Sequence, residues 1–193
     1  IINAVNAFGG ETALTSESHK SGTDRCLEAY TAVKREKEED FDIIVNIQGD
    51  EPLVNPGQLN ELIGCFETEG TEIATLIHPF NDPKKLDDPD IVKVVADHTL
   101  RALYFSRSPI PFKRDISFDP KYFKHIGLYA FTPKALRQVC ALDASKLEMA
   151  ESLEQLRWLE NGYRIQCAIT QFESIGVDSP SDLDRVRSLL RNN

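Results

Sequence analysis

The stretch FDIIVNIQGDEPLV, residues 41–54, constrains the fold most. Residues 41–47 form an almost unbroken apolar run. A continuous run, rather than an alternating one, predicts a strand buried on both faces, as in a parallel sheet. The run stops at Gln48, Gly49, Asp50, Glu51 and Pro52. Glycine and proline suit an ordinary turn. Adjacent carboxylates at the mouth of a hydrophobic strand also stand where open α/β sheets bind ligands, outside the carboxyl ends of their strands.

The flanking segments extend this pattern. IINAVNAFGG reads as the second half of an amphipathic helix closed by Gly9 or Gly10, and ETALT as a short strand. A helix over 24–35 places Cys26, Tyr30 and Val33 on one face. NPGQLNELIGCFETEG is a helix with Asn55 as N-cap, Pro56 in its first turn and Gly70 beyond its end. TEIATLI is the next strand, so helices and strands alternate in the manner of βαβ units. The pattern then changes. IVKVVADHTLRALYFS reads as two strands around a turn, KHIGLYAF as a third, and Thr132-Pro133 opens a helix. LEMAESLEQLRWLENG is read as one long helix, with Met149, Leu153 and Leu156 on one face and Gly162 closing it. YRIQCAI is a strand, and GVDSPSDLDRVRSLL opens a helix capped by Ser179 with Asp182 at N3. The expectation is a single α/β domain over 1–193 with a Rossmann-like mixed, mainly parallel sheet flanked by helices. A β-rich insertion occupies about 91–131.

Composition narrows the function. A net charge of −9 opposes sequence-independent nucleic-acid binding, although nucleotides remain possible where a metal neutralises their phosphates. No apolar run has the roughly 20 residues of a membrane helix. Cys26, Cys65, Cys140 and Cys167 are scattered and form no C-x-x-C pair; they read as small core residues in a reducing cytoplasm.

Candidate chemistry collects at a few places. Asp50 and Asp178 each lie just past an apolar segment, Asp178 immediately before a helix start. Two such carboxylates suit Mg²⁺, which takes one or two of them with substrate phosphate oxygens; a turn residue and a cap neighbour are the plain alternatives. HKSGTDR, residues 19–25, is a polar glycine-containing loop entering a helix, either an ordinary capped loop or a backbone cradle for a base or anion. Arg107, Lys113 and Arg114 suit an anionic substrate or are surface charges. His125 stands in an apolar strand as a core or edge residue, or as a ligand. Glu154 and Gln155 adjoin core-facing Leu153 and Leu156, so at least one lies at the core border.

Taken in order, SGTDR, VNIQGDEP, LYFSRSPIPF, HIGLYAF, LEQLR and GVDSPSDLDRV resemble the 3-deoxy-manno-octulosonate (Kdo) cytidylyltransferases, from about residue 9 to the end of the chain. Sialic acid cytidylyltransferases share the fold and reaction but lack similarity to the HIGLYAF and LEQLR pair. The resemblance implies a nucleotide-diphospho-sugar transferase fold in which CTP activates Kdo to CMP-Kdo and pyrophosphate for lipopolysaccharide. Carried over by motif, Ser21, Gly22, Thr23 and Arg25 lie on the cytidine nucleotide, Gln48 touches the sugar, and Asp50 and Asp178 hold Mg²⁺. Arg107, His125, Tyr129, Glu154 and Gln155 line the sugar pocket. A homodimer through the inserted strands is also implied. Family members begin with a strand and a loop rich in Arg, Ser, Gly and Lys that grips the triphosphate. Roughly 50 residues, a strand–loop–helix–strand unit, are expected ahead of Ile1, without which these residues neither fold well nor turn over CTP. Other readings are a cytidylyltransferase for 8-amino-Kdo or sialic acid, a metal-dependent glycosyltransferase of the D-x-D type, and a non-catalytic nucleotide- or sugar-binding module.

Overall fold

A computed structural model describes the chain except Asn81, Ser174, Ile175, Asp178, Asn192 and Asn193. Its centre is a mixed sheet in which β5 (Phe123–Phe131) is the longest strand. Along one edge β5 pairs antiparallel with β2 (Ile73–Pro79), which pairs in parallel with β6 (Ile165–Ile169). Its other edge is shared. β1 (Ile44–Asn46) pairs with residues 129–131, and β3 (Lys93–Ala96) pairs with residues 123 and 124. β4 (Ala102–Ser106) completes the hairpin with β3.

The sheet is mixed, as expected, but its pairing is not mainly parallel. β1, β2 and β6 run the same way, yet only β2 and β6 are neighbours, because β5 lies antiparallel between β1 and β2. Residues 91–131 hold three strands, of which β3 and β5 continue the central sheet.

Side chains alternate along β2. Ile73 and Ile77 enter a core with Phe105, Phe131, Leu136, Leu156 and Trp158, while Ala74 and Leu76 face Leu62, Leu128 and Ala130 on the other side. That period of two places helices on both faces. α2 (Gly22–Lys37) and α4 (Pro133–Cys140) contact one another on the first face; α3 (Pro56–Gly64) covers the second.

Local signals explain most helix ends. Asn55 and Gln58 form a capping box at α3, Thr132 caps α4, and Gly70 adopts a left-handed φ of 78°. Ser179 and Asp182 exchange hydrogen bonds at the start of α7 (Pro180–Arg191). α1 (Ile2–Ala7) ends before Gly9.

Three further expectations fail. Residues 11–15 are not a strand; they are largely exposed and tied by side chains, Lys37 to Glu11 and Arg25 to Thr15, rather than by a partner strand. β1 is half-buried rather than enclosed, and Ile47 just past it is 45% exposed, because the one strand partner of β1 among the described residues is β5. The long helix over 147–162 is two helices, α5 (Lys146–Glu151) and α6 (Glu154–Glu160), broken where Ser152 takes a left-handed φ of 53°. The break turns Leu153 into the core and leaves Met149 exposed.

Candidate active site

The sheet end beyond β1 gathers residues from four separated segments. Ser21 caps α2 by accepting from the Asp24 amide. A side chain at Gly22 would meet Asn46 Nδ2 at 3.5 Å and Gln48 Oε1 at 3.6 Å, so the α2 start lies directly against the end of β1. Thr23 is buried, and its hydroxyl donates to Glu154 Oε2 at 2.7 Å. On the β5 side, Gln48 Cγ would be 3.9 Å from a side chain at Gly127, and Asn46 pairs in register with Tyr129. Ser21, Gly22, Thr23, Gln48, Tyr129 and Glu154 therefore form one constellation.

His125 and Tyr129 belong to an aromatic ladder behind it. The His125 ring lies 5.2 Å from both Phe105 and Tyr129, and Tyr129 and Phe131 both meet Trp158 of α6 edge-on. His125 Nε2 is 3.0 Å from Thr75 Oγ1. The Thr75 hydroxyl also donates toward the β5 carbonyls, Leu128 O at 2.8 Å and Ile126 O at 3.3 Å, so it ties the ring to the strand backbone. Enclosure by these neighbours pushes the His125 pKa down to about 3, which keeps the ring neutral. Burial likewise holds the Tyr129 phenol well above its ordinary range. Thr75, its register partner on β2, is the hydroxyl that opposes this shift.

Glu154 is the electrostatic joint. Burial raises its pKa, opposed by the hydroxyls of Thr23 and Ser21 and by Arg157. Arg157 Nη2 donates to Glu154 Oε1 at 2.7 Å, while its Nε faces Glu148 at 3.4 Å and its Nη1 reaches Leu142 O. Neighbouring Gln155 is 5% exposed at the core border.

Asp50 stands apart from this packing. It is exposed, and its carbonyl accepts from the Val177 amide at 2.8 Å, which brings the segment preceding α7 alongside. Asp178 lies outside the described residues. No group of three or more His, Cys, Asp or Glu side chains converges among those described. An exposed hard carboxylate is the donor type that fits Mg²⁺ shared with phosphate oxygens, and a side chain at Gly49 would meet nothing within 4 Å. Open space there leaves room for the backbone to approach a ligand.

The two arginines are engaged by the loops that flank this constellation. Arg25 Nη1 donates to Thr15 Oγ1 and Ser16 O, bracing the loop ahead of α2. Arg107 donates to Glu151 O and Pro89 O. None of the candidate residues lines a cavity of about 620 Å³ formed by Pro79, Phe80, Leu86, Tyr122, Phe123 and Ile169 among others. Sequence reading missed Asn46, Thr75 and Arg157. For Arg157 a signal existed, since it stands three residues after Glu154 in LEQLR, the spacing of facing helix residues.

The chain resembles known proteins over nearly its whole length. The sequence profile of the cytidylyltransferase family matches residues 1–165. A 3-deoxy-manno-octulosonate cytidylyltransferase of Bacteroides thetaiotaomicron is 50% identical over 98% of this chain and 77% of its own length. One of Porphyromonas gingivalis is 45% identical over 100% of this chain and 77% of its own. A solved CMP:2-keto-3-deoxy-manno-octonic acid synthetase, complexed with CTP, superposes with a TM-score of 0.88 at 38% identity, covering 98% of this chain and 76% of that one. A 4-diphosphocytidyl-2C-methyl-D-erythritol synthase from Anaerococcus prevotii, 10% identical with a TM-score of 0.60, shares the fold alone. The chain thus spans about three-quarters of the length of these relatives, at 45% to 50% identity, and it belongs to the 3-deoxy-manno-octulosonate cytidylyltransferase family.

Proposed function

We propose that this protein transfers CMP from CTP to the anomeric hydroxyl of 3-deoxy-manno-octulosonate, releasing pyrophosphate. The observation that carries the reading is the joint between Thr23 and Glu154, which fixes the loop assigned to the nucleotide against the helix assigned to the sugar. The sugar oxygen forms a bond to the α-phosphorus while the bond from that phosphorus to the β-phosphate oxygen breaks. The hydroxyl proton is lost to solvent. No protein nucleophile is needed, and catalysis rests on positioning and electrostatics.

Each residue then has a physical task. The α2 start, with Ser21, Gly22 and Thr23, offers backbone N–H groups and the positive end of a helix dipole to the nucleotide. Arg25 keeps the preceding loop in place and adds positive charge near the phosphates. Gln48 sits between Gly22 and Gly127, where its amide reaches the sugar. Tyr129 lies in register with Asn46, and the buried Gln155 amide and neutral His125 complete the sugar wall, which Arg107 supports by gripping the end of α5. Asp50, with Asp178, would hold Mg²⁺. That ion supplies charge neutralisation at the phosphates and a lowered hydroxyl pKa.

A homodimer is part of the same reading. Phe112, Ile116 and Phe118 are 85%, 91% and 65% exposed on the segment between β4 and β5, apolar surface that a second copy would cover. Four free thiols suit a reducing cytoplasm.

Pyrophosphate release by the full-length protein, with CTP and either Mg²⁺ or a chelator, tests the proposal. Kdo, its 8-amino analogue and sialic acid are compared as acceptors. Metal-dependent release with Kdo, and less with sialic acid, is expected. Release with none, from folded protein, overturns the reading.

A further inference from the structure

Behind the sugar-side helix lies a buried polar latch. Lys93 on β3 is fully buried, and its ammonium donates to the carbonyls of Asp88, Ile91 and Arg107. Three protons meet three acceptors, so the group is fully satisfied. Arg107, just past β4, donates from Nε to Glu151 O at 2.8 Å and from Nη1 to Pro89 O at 2.8 Å. The Glu151 carboxylate answers with both oxygens. Oε1 accepts from the Ser106 hydroxyl at 2.6 Å, and Oε2 from the Arg107 amide at 2.9 Å.

Glu151 is the last residue of α5, and α6 begins three residues later at Glu154. Only Ser152, in its left-handed turn, and Leu153 separate them. α6 has no side-chain cap at its start. A helix without a cap relies on tertiary anchors to set its entry point. Here Glu151 and the buried Leu153 anchor the chain just before α6, while Glu154, held by Thr23 and Arg157, anchors its first residue.

We infer that Glu151 is a positioning residue, whose latch to Ser106 and Arg107 sets where the first turn of α6 presents Gln155 to the acidic sugar. The inference rests on the proposed function, because it gives Gln155 a place on the sugar side. It assigns Arg107 a holding task, gripping the α5 end and the turn at Pro89, in addition to any contact with substrate. A lysine within the apolar run IVKVV is the sequence trace of the latch. A buried ammonium at that position demands carbonyl partners from the loops around it.

The test is Glu151→Gln in the full-length protein. Glutamine keeps the shape but accepts through one oxygen only and turns an N–H₂ toward a donor. A tenfold or so rise in the KM for Kdo, with the KM for CTP within about twofold, is expected; in a Gln155→Ala background the same change should raise the KM for Kdo by less than about threefold. Equal effects on both substrates, or full additivity with Gln155→Ala, would overturn the inference in favour of a merely structural role. If Glu151→Gln does not fold, Ser106→Ala removes one bond of the latch. It should raise the KM for Kdo alone, by about threefold, and an unchanged value counts against the latch. Amide exchange over 152–157 in the substrate-free protein separates this inference from the proposed reaction. Faster exchange in either variant, with β1 unaffected, supports the latch even where no acceptor sugar is used. Unchanged exchange sinks it, whatever the activity.

Discussion

The loop after β1 and the wall formed by β5 and α6 meet at the same site but are built in opposite ways. The loop carries Gly49 and Asp50 in the open, and a side chain at Gly49 would touch nothing. The wall is packed. Tyr129, Leu156 and Trp158 are nearly or fully buried, and Glu154 is clamped between Thr23 and Arg157. An open loop can hold charged, hydrated groups without perturbing the core. A sugar wall made from core side chains gains fixed geometry, at a cost in tolerance to change. Substitutions in the loop should therefore alter chemistry alone, and those in the wall should alter stability and recognition together.

Asp50→Asn is the largest expected effect and the sharpest test of that division. Turnover should fall by about a thousandfold, roughly 4 kcal/mol in the barrier, because the amide no longer offers a full negative charge to a cation. The melting temperature should move by less than about 2 °C, since exposed substitutions away from packed features usually change stability by under ~0.5 kcal/mol. Steady-state pyrophosphate release and a thermal melt decide it. A variant that melts much earlier would break the contrast between loop and wall.

Glu154→Gln probes the other side. The change removes the charge that Arg157 meets at 2.7 Å and leaves Glu148, at 3.4 Å, as its remaining carboxylate. Breaking a buried pair costs about 3–5 kcal/mol when nothing replaces the partner; with Glu148 still present, about 2 kcal/mol is expected. The loosened Thr23 contact should raise the KM for CTP as well as that for Kdo. Urea denaturation and initial rates measure both. Unaltered stability would mean that the wall is not held by this joint.

The same contrast explains what the sequence reveals. Helix ends were legible because their chemistry is local: Asn55 with Gln58, Thr132 before Pro133, Ser179 with Asp182. The site motifs were legible because short segments carry them, and four separated segments do converge on Gly22, Gln48, Tyr129 and Glu154. The break at Ser152 was not, since Leu153 and Leu156 keep an apolar spacing that a continuous helix would also produce. The direction of β5 was hidden for a similar reason. Alternating residues specify which face is buried, but not whether the neighbouring strand runs parallel or antiparallel. Asn46, Thr75, Arg157 and Glu151 matter through partners distant in sequence or in the third dimension, and residue type alone does not announce such pairs.

His125 supplies the smallest effect and the most direct reading of how dry the wall is. Its pKa lies at about 3 when folded, against 6.5 for the ordinary group. Between those values the unfolded chain binds more protons, so stability is fully present above about pH 6.5 and is lost as the pH falls toward 3. The full shift corresponds to up to ~5 kcal/mol, but the residue keeps some surface, and about 2 kcal/mol is the expected loss by pH 4. Several carboxylates with lowered pKa values, Asp97 and Asp115 among them, lose stability in the same direction on acidification. The comparison therefore needs His125→Gln, whose amide can still hydrogen-bond Thr75 but does not titrate. Unfolding free energies of the two proteins from pH 4 to 8 should run parallel above pH 7 and separate below it, with the wild type falling faster. A constant difference would mean that water reaches the ring as freely as it reaches Asp50, and the distinction between an open loop and a packed wall would then fail at the wall.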